Sequence, residues 1–138
     1  MGDRQWFRAV APLAACGVVV AAFLPWTISG SARRNSFSTV RSARILEVAG
    51  EGAGHVVLGF WFFVPALAAA ALLLWVLHRY RAAGIVAAVV GAAAVAFAAV
   101  IAAAPIGQGS GVRPTLVLGL VALVAGVATA WLARPPPA

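Results

Sequence analysis

The chain has 138 residues, of which 64% are hydrophobic and only 9% charged, and its mean hydropathy is +1.02. Soluble domains carry roughly a quarter charged residues and about half apolar ones, so this composition excludes a water-soluble globule and points to lipid as the solvent for most side chains. The net charge of +7 comes from arginine alone, against Asp3, Glu47 and Glu51; the arginines sit at the ends of apolar runs rather than along a basic stripe with interleaved aromatics, so they read as interfacial anchors and not as a nucleic-acid surface.

Residues 9–28 form the first uncharged run, and its length matches the roughly 20 residues a helix needs to cross the hydrocarbon. Pro12 falls in its opening turns, where a missing N–H costs little, and Pro25 lies near its end. Trp6 and Trp26 flank the run as interfacial belt residues. Cys16 is the only cysteine, which rules out an internal disulfide or a Cys-x-x-Cys redox pair and makes it a small packing residue. Leu13-Ala14-Ala15-Cys16 is similar to a bacterial lipoprotein processing box, yet the apolar stretch before it is too short for a signal and the run continues past the cysteine.

Ser29-Gly30 turns the chain out of this run into the one sizeable polar loop, residues 29–55. Asn35 or Ser36 caps a short helix over about 37–49, with Gly50, Gly52 and Gly54 as breakers. Phe37, Val40 and Val48 share one side of that helix, flanked by Arg41 and Arg44, which suits a helix lying on a bilayer surface. Ile45 and Leu46 fall off this side and fit better if the helix packs over the mouth of a bundle or onto a partner subunit.

The longest apolar stretch, residues 56–104, is broken only at His78-Arg79-Tyr80-Arg81, so it predicts two antiparallel helices, about 56–77 and 82–104, joined by a tight turn. The first of them opens with Phe60-Trp61-Phe62-Phe63, closes with Trp75 and contains Pro65, which either kinks it or marks unwound first turns and leaves the carbonyl of Trp61 without its usual donor. In the second, Gly84, Ala88, Ala92 and Ala96 make a small-residue ridge at four-residue spacing, which predicts close backbone approach and a central place in the bundle. The glycine-rich loop 105–111 reads as flexible. Arg113-Pro114 then opens a last helix over about 115–132, with Ala122, Gly126 and Ala130 as a second small ridge, Trp131 as its belt residue and a proline-rich tail beyond.

The expected fold is therefore all-α: one integral membrane domain over residues 1–138, a four-helix bundle with a short amphipathic helix in its first loop. Four spans put both termini on one side. That side holds Arg4, Arg8, Arg79, Arg81 and Arg134, and the other holds Arg33, Arg34, Arg41, Arg44 and Arg113. The weight of Arg4, Arg8 and the tight Arg79/Arg81 turn places the termini in the cytoplasm and the polar loop outside a plasma membrane.

No span contains a charged residue, and intramembrane ionisable groups are the usual mark of ion or proton pathways. Glu51 and His55 form the one candidate acid/base pair, across glycines that hold no reliable helix. Two distant histidines and one cysteine assemble no metal site, and no cofactor motif is present. The candidate site is Arg33, Arg34, Arg41 and Arg44 beside Asn35, Ser36 and Ser38, where guanidinium forks could hold a lipid headgroup phosphate, a polyprenyl phosphate or an acidic partner, or simply snorkel to the interface.

Phe23-Leu24-Pro25-Trp26, followed by Gly30, Arg34, Ser36 and Phe37 and by the alanine-rich third span, resembles a group of small four-span membrane proteins of high-GC actinobacteria, and is similar in layout to the tryptophan-associated transmembrane proteins. The resemblance implies the topology and no activity. The expected role is a non-enzymatic accessory or scaffold subunit of an envelope assembly, with anionic membrane lipids and other membrane subunits as partners; the alternative is a small transporter or anionic-lipid carrier using the arginine-rich loop.

Overall fold

A computed structural model describes residues 3–29, 31–45, 56, 59–103 and 109–133, with the backbone alone at 3–7, 29 and 43–45. The described chain is mostly helical. Helix α1 covers Asp3–Ala22 and is followed by a two-stranded hairpin, β1 Thr27–Ser29 and β2 Ala32–Arg34. Helix α2 is Ser36–Ile45, and a 3-10 turn at Trp61–Phe63 leads into α3, Val64–Val76. Helices α4, Tyr80–Ala103, and α5, Val112–Leu132, complete the fold, and both are long and apolar enough to cross a membrane. The apolar parts of the other two long elements, Arg8–Ala22 and Trp61–Val76, are shorter.

The first apolar run stops being helical at Ala22, six residues before its expected end. Pro25 has no N–H to continue the ladder and biases Leu24 away from helical geometry. The freed carbonyls of α1 are taken up by other groups: the Phe23 and Leu24 amides donate to Val20 and Ala21, at 3.1 and 3.2 Å. The Trp26 indole Nε1–H also donates to the Ala21 carbonyl at 3.0 Å, and the Ser36 hydroxyl donates to the Ala22 carbonyl at 2.7 Å. At its other end α1 starts at Asp3, so Pro12 lies in the helix interior rather than in its first turns, and the carbonyl of Arg8 has no amide at Pro12 to accept.

The hairpin pairs Thr27 with Arg34, Ile28 with Arg33 and Ser29 with Ala32. Sequence periodicity passes over it because each strand is only three residues long, although a Gly-Ser dipeptide between two short runs is a recognised two-residue turn signal. Asn35 then caps α2: its Oδ1 accepts the Ser38 amide at 2.9 Å. Helix α2 buries Ser36, Thr39 and Val40 and half-buries Phe37, so it sits over the end of the bundle and leaves Arg41 exposed. Val48, Leu46, the glycines Gly50, Gly52 and Gly54, and the Glu51/His55 pair lie outside the described residues.

Pro65 occupies the first turn of α3, where a proline costs little. The turn before it tightens to 3-10, and the carbonyl of Trp61 accepts the Val64 amide instead of the donor that Pro65 lacks. After α3 the chain reverses through His78, whose φ of 59° is left-handed. The His78 amide donates to Trp75 at 3.0 Å and the Arg79 amide to Leu74 at 2.8 Å, the paired bonds that close a helix C-terminus.

Helix α4 packs on α1, α3 and α5, and α1 packs on α3 and α5 as well. The α4–α5 seam is the tightest. A methyl group at Gly84 would meet the Gly126 carbonyl oxygen at 2.7 Å, and one at Gly91 would meet the Gly119 carbonyl oxygen at 2.5 Å. The two glycine pairs are seven residues apart on each helix, and Ala88 flanks Gly126 between them. Ala122 is buried on the same seam, and Ala130 is half-buried. Ala92 and Ala96, expected in the same ridge, face outward instead. Steps of four residues advance about 40° beyond a full turn each time, so the third member has left the interface, whereas a seven-residue step returns almost to the same line.

Along α5 the distribution of side-chain size is inverted relative to a soluble bundle. The inner face of α5 is Thr115, Gly119, Ala122, Ala125, Gly126 and Thr129, all buried, while its outer face carries Val117, Val124, Val127 and Trp131, each more than half exposed. Leu13 and Val20 on α1 and Leu73 on α3 are likewise exposed at 58, 68 and 59%. Small residues inside and bulky apolar ones outside suit a surround that does not penalise apolar surface.

Candidate functional site

The end of the bundle where α1 stops and α3 starts is closed by three rings. Trp61 stacks on Phe97 with centroids 4.2 Å apart and planes 19° from parallel. Trp26 meets Phe97 at 4.9 Å and the edge of Trp61 at 5.6 Å. All three are buried, so Trp26 is an interior residue and not the belt residue its position suggested. A tryptophan this deep needs a partner for its N–H. Trp26 has the Ala21 carbonyl; Trp61 donates its Nε1–H to the Ser36 hydroxyl at 3.0 Å, which donates in turn to Ala22. Ser36 thus ties α1, α2 and the start of α3 together with one oxygen atom.

The backbone of this plug is stitched equally closely. The Trp26 amide donates to the Arg34 carbonyl at 2.8 Å, and the amides of Gly109 and Gly111 donate to Trp26 and Pro25, each at 2.7 Å. A side chain at Gly109 would lie 2.2 Å from the Pro25 carbonyl oxygen, and one at Gly111 would lie 2.6 Å from the Trp26 ring. This end of the loop expected to be flexible is therefore a fixed contact, built on glycine because only glycine fits. The hydroxyls of Thr27 and Thr39 share a bond of 3.0 Å that fastens the hairpin to α2.

Around this plug lie the arginines. Arg33, Arg34 and Arg41 are exposed, and Arg44 sits one turn beyond Arg41 on α2. Successive residues of a strand point to opposite sides, so Arg33 and Arg34 do not form one clamp. Arg34 reaches α2, where its Nη1 donates to the Ser42 hydroxyl at 2.8 Å. The neighbouring polar side chains proposed as co-ligands are committed to the fold: Asn35 to the cap, Ser36 to the tryptophan relay, and the Ser38 hydroxyl to the Asn35 carbonyl at 3.0 Å. What the arginine segment offers is a spread of separate positive charges over the plug.

Apart from the indole N–H groups of Trp26 and Trp61, the buried polar side chains among the described residues are hydroxyls, those of Ser36, Thr39, Thr115 and Thr129. Thr115 and Thr129 have no hydrogen-bond partner for Oγ1. Among the described residues no three His, Cys, Asp or Glu side chains come together. The residues that sequence reasoning missed as a group are Trp26, Ser36, Trp61 and Phe97; the one signal pointing to them was Leu-Pro-Trp, a proline that stops a helix one residue before a tryptophan. No family model, curated protein or solved structure matches this chain.

Proposed function

We propose that this chain is a plasma-membrane protein that crosses the bilayer four times, with both termini cytoplasmic, and serves as a non-enzymatic accessory or scaffold subunit of an envelope assembly. The observation that carries the reading is the inverted packing of α5, with glycines, alanines and hydroxyls on its inner face and valine and tryptophan exposed on its outer face, together with the exposed leucines of α1 and α3. Helices α4 and α5 have the length for a crossing. The shorter apolar parts of α1 and α3 complete theirs through the plug, where non-helical backbone at membrane depth is tolerable because protein groups satisfy it.

Several features favour a structural role over transport. The three packed rings fill the space between α1, α3 and α4, and Val64 is buried beside Pro65, where a carrier would need its cavity. On this reading Leu24-Pro25-Trp26, the motif shared in appearance with the tryptophan-associated transmembrane proteins, is the device that ends one span and seals the bundle.

Extraction in mild detergent tests the proposal. The expected result is a stoichiometric complex of fixed composition containing the 14.0 kDa chain. A monodisperse monomer would overturn the scaffold role, and a chain that stays in solution without detergent would overturn the membrane reading itself.

A further inference from the structure

The opposite end of the bundle, where α1 begins, α5 ends and the α3–α4 turn lies, carries a feature that the scaffold reading leaves unused. On the outer side of the α4–α5 seam runs a groove of about 430 Å³. Its lining includes Arg81, Ile85, Ala88 and Ala92 of α4 and Val127 and Trp131 of α5. The groove exists because the glycine pairs draw the two helices together while the alanines beside them are too short to fill the wedge left on the outside. From Arg81 to Ala92 a helix rises about 16 Å, roughly half of the ~30 Å hydrocarbon core, which is the depth one leaflet's acyl chain occupies.

Beside the groove lies a second recess of about 380 Å³, lined among others by His78, Arg79, Tyr80 and Arg81, which shares Arg81 and Ile85 with it. Arg79 and Arg81 are exposed, and the Arg8 guanidinium lies 4.8 Å from the centre of the Tyr80 ring, adding a third positive charge at the same level. An arginine-flanked recess adjoining an apolar groove about one leaflet long matches a single lipid in charge and length.

We infer that this groove binds one anionic glycerophospholipid, its phosphate held by Arg79 and Arg81 beside Tyr80 and one acyl chain laid over Ala88 and Ala92 between Ile85 and Trp131. The inference rests on the membrane reading above and assigns a site on the face opposite to the arginine loop.

The full chain, reconstituted in nanodiscs of phosphatidylcholine and phosphatidylglycerol and released into native mass spectrometry, tests it. Wild type retains one phosphatidylglycerol in preference to phosphatidylcholine, and R79Q/R81Q lowers that preference about tenfold. Because Ala92 is exposed, A92L fills the groove without disturbing the seam and lowers retention similarly. R33Q/R34Q/R41Q leaves the preference unchanged. Equal retention of the two lipids by wild type, or preference that survives in R79Q/R81Q, overturns the site. Loss in R79Q/R81Q with full retention in A92L also overturns it, since the contact would then be electrostatic and not a groove. A chain that never enters the nanodisc overturns the membrane reading along with the site, whereas one that inserts without lipid preference overturns the site alone.

Discussion

Replacing Gly91 by alanine is the sharpest test of how α4 and α5 meet. The added carbon would sit 2.4 Å from the Leu123 amide nitrogen and 2.5 Å from the Gly119 carbonyl oxygen, both backbone atoms that no rotamer change can remove. The helices must therefore separate by about 1 Å at that level, and a gap of roughly that size forfeits a quarter to a half of each dispersion contact along the seam. Overpacking of this kind costs about 1–3 kcal/mol, against a helix-propensity gain of about 1 kcal/mol from glycine to alanine. The rigid obstacle puts G91A at the upper end of the cost, for a net loss of about 1–2 kcal/mol. In lipid no hydrophobic term drives the helices back together to offset it. G17A is the matched control: its new carbon meets only the side-chain tip of Leu118, at 3.2 Å, which can swing aside. Equilibrium unfolding of both variants in mixed micelles, followed by tryptophan emission, should show G91A shifted to easier unfolding and G17A unchanged or improved. Equal midpoints for G91A and G17A would refute the close-approach argument.

The buried hydroxyls and the two polar ends of the bundle are open to the same kind of test. S36A removes the oxygen that both accepts the Trp61 N–H and donates to the Ala22 carbonyl, leaving two buried groups unpaired at about 1–3 kcal/mol each; the same unfolding assay should register at least about 2 kcal/mol, and wild-type stability would sink the relay. T115V exchanges a buried hydroxyl without a partner for a methyl group of the same shape and should stabilise by about 1 kcal/mol; a clear loss would mean the hydroxyl is satisfied. In a chain whose Cys16 is replaced by alanine, R41C should react with an impermeant maleimide on intact cells and R79C only after permeabilisation; the reverse pattern would invert the orientation, and labelling of both would remove the crossing.

The helices, the cap at Asn35 and the tightened turn around Pro65 are legible along the chain because each is a local matter: a run of apolar residues, an amide oxygen three residues before an orphan N–H, a ring without a donor. The early stop of α1 was half legible. Pro25 announces that the ladder ends nearby, yet the carbonyls of Ala21 and Ala22 are satisfied by Trp26 and by Ser36, and the second of these lies fourteen positions downstream.

What the sequence by itself determined is a set of apolar helices, two of them long enough to cross a membrane, since length and apolarity are properties of single segments. Only the tertiary structure decided that Trp26 turns inward rather than to an interface, that Gly91 and Gly119 rather than Ala92 and Ala96 line the seam, and that Gly109 and Gly111 are contact points. Each of these depends on which atoms of another helix stand opposite. A glycine reads as flexible in one dimension, and becomes a contact only when a carbonyl from a distant turn is brought within the radius of the side chain it lacks.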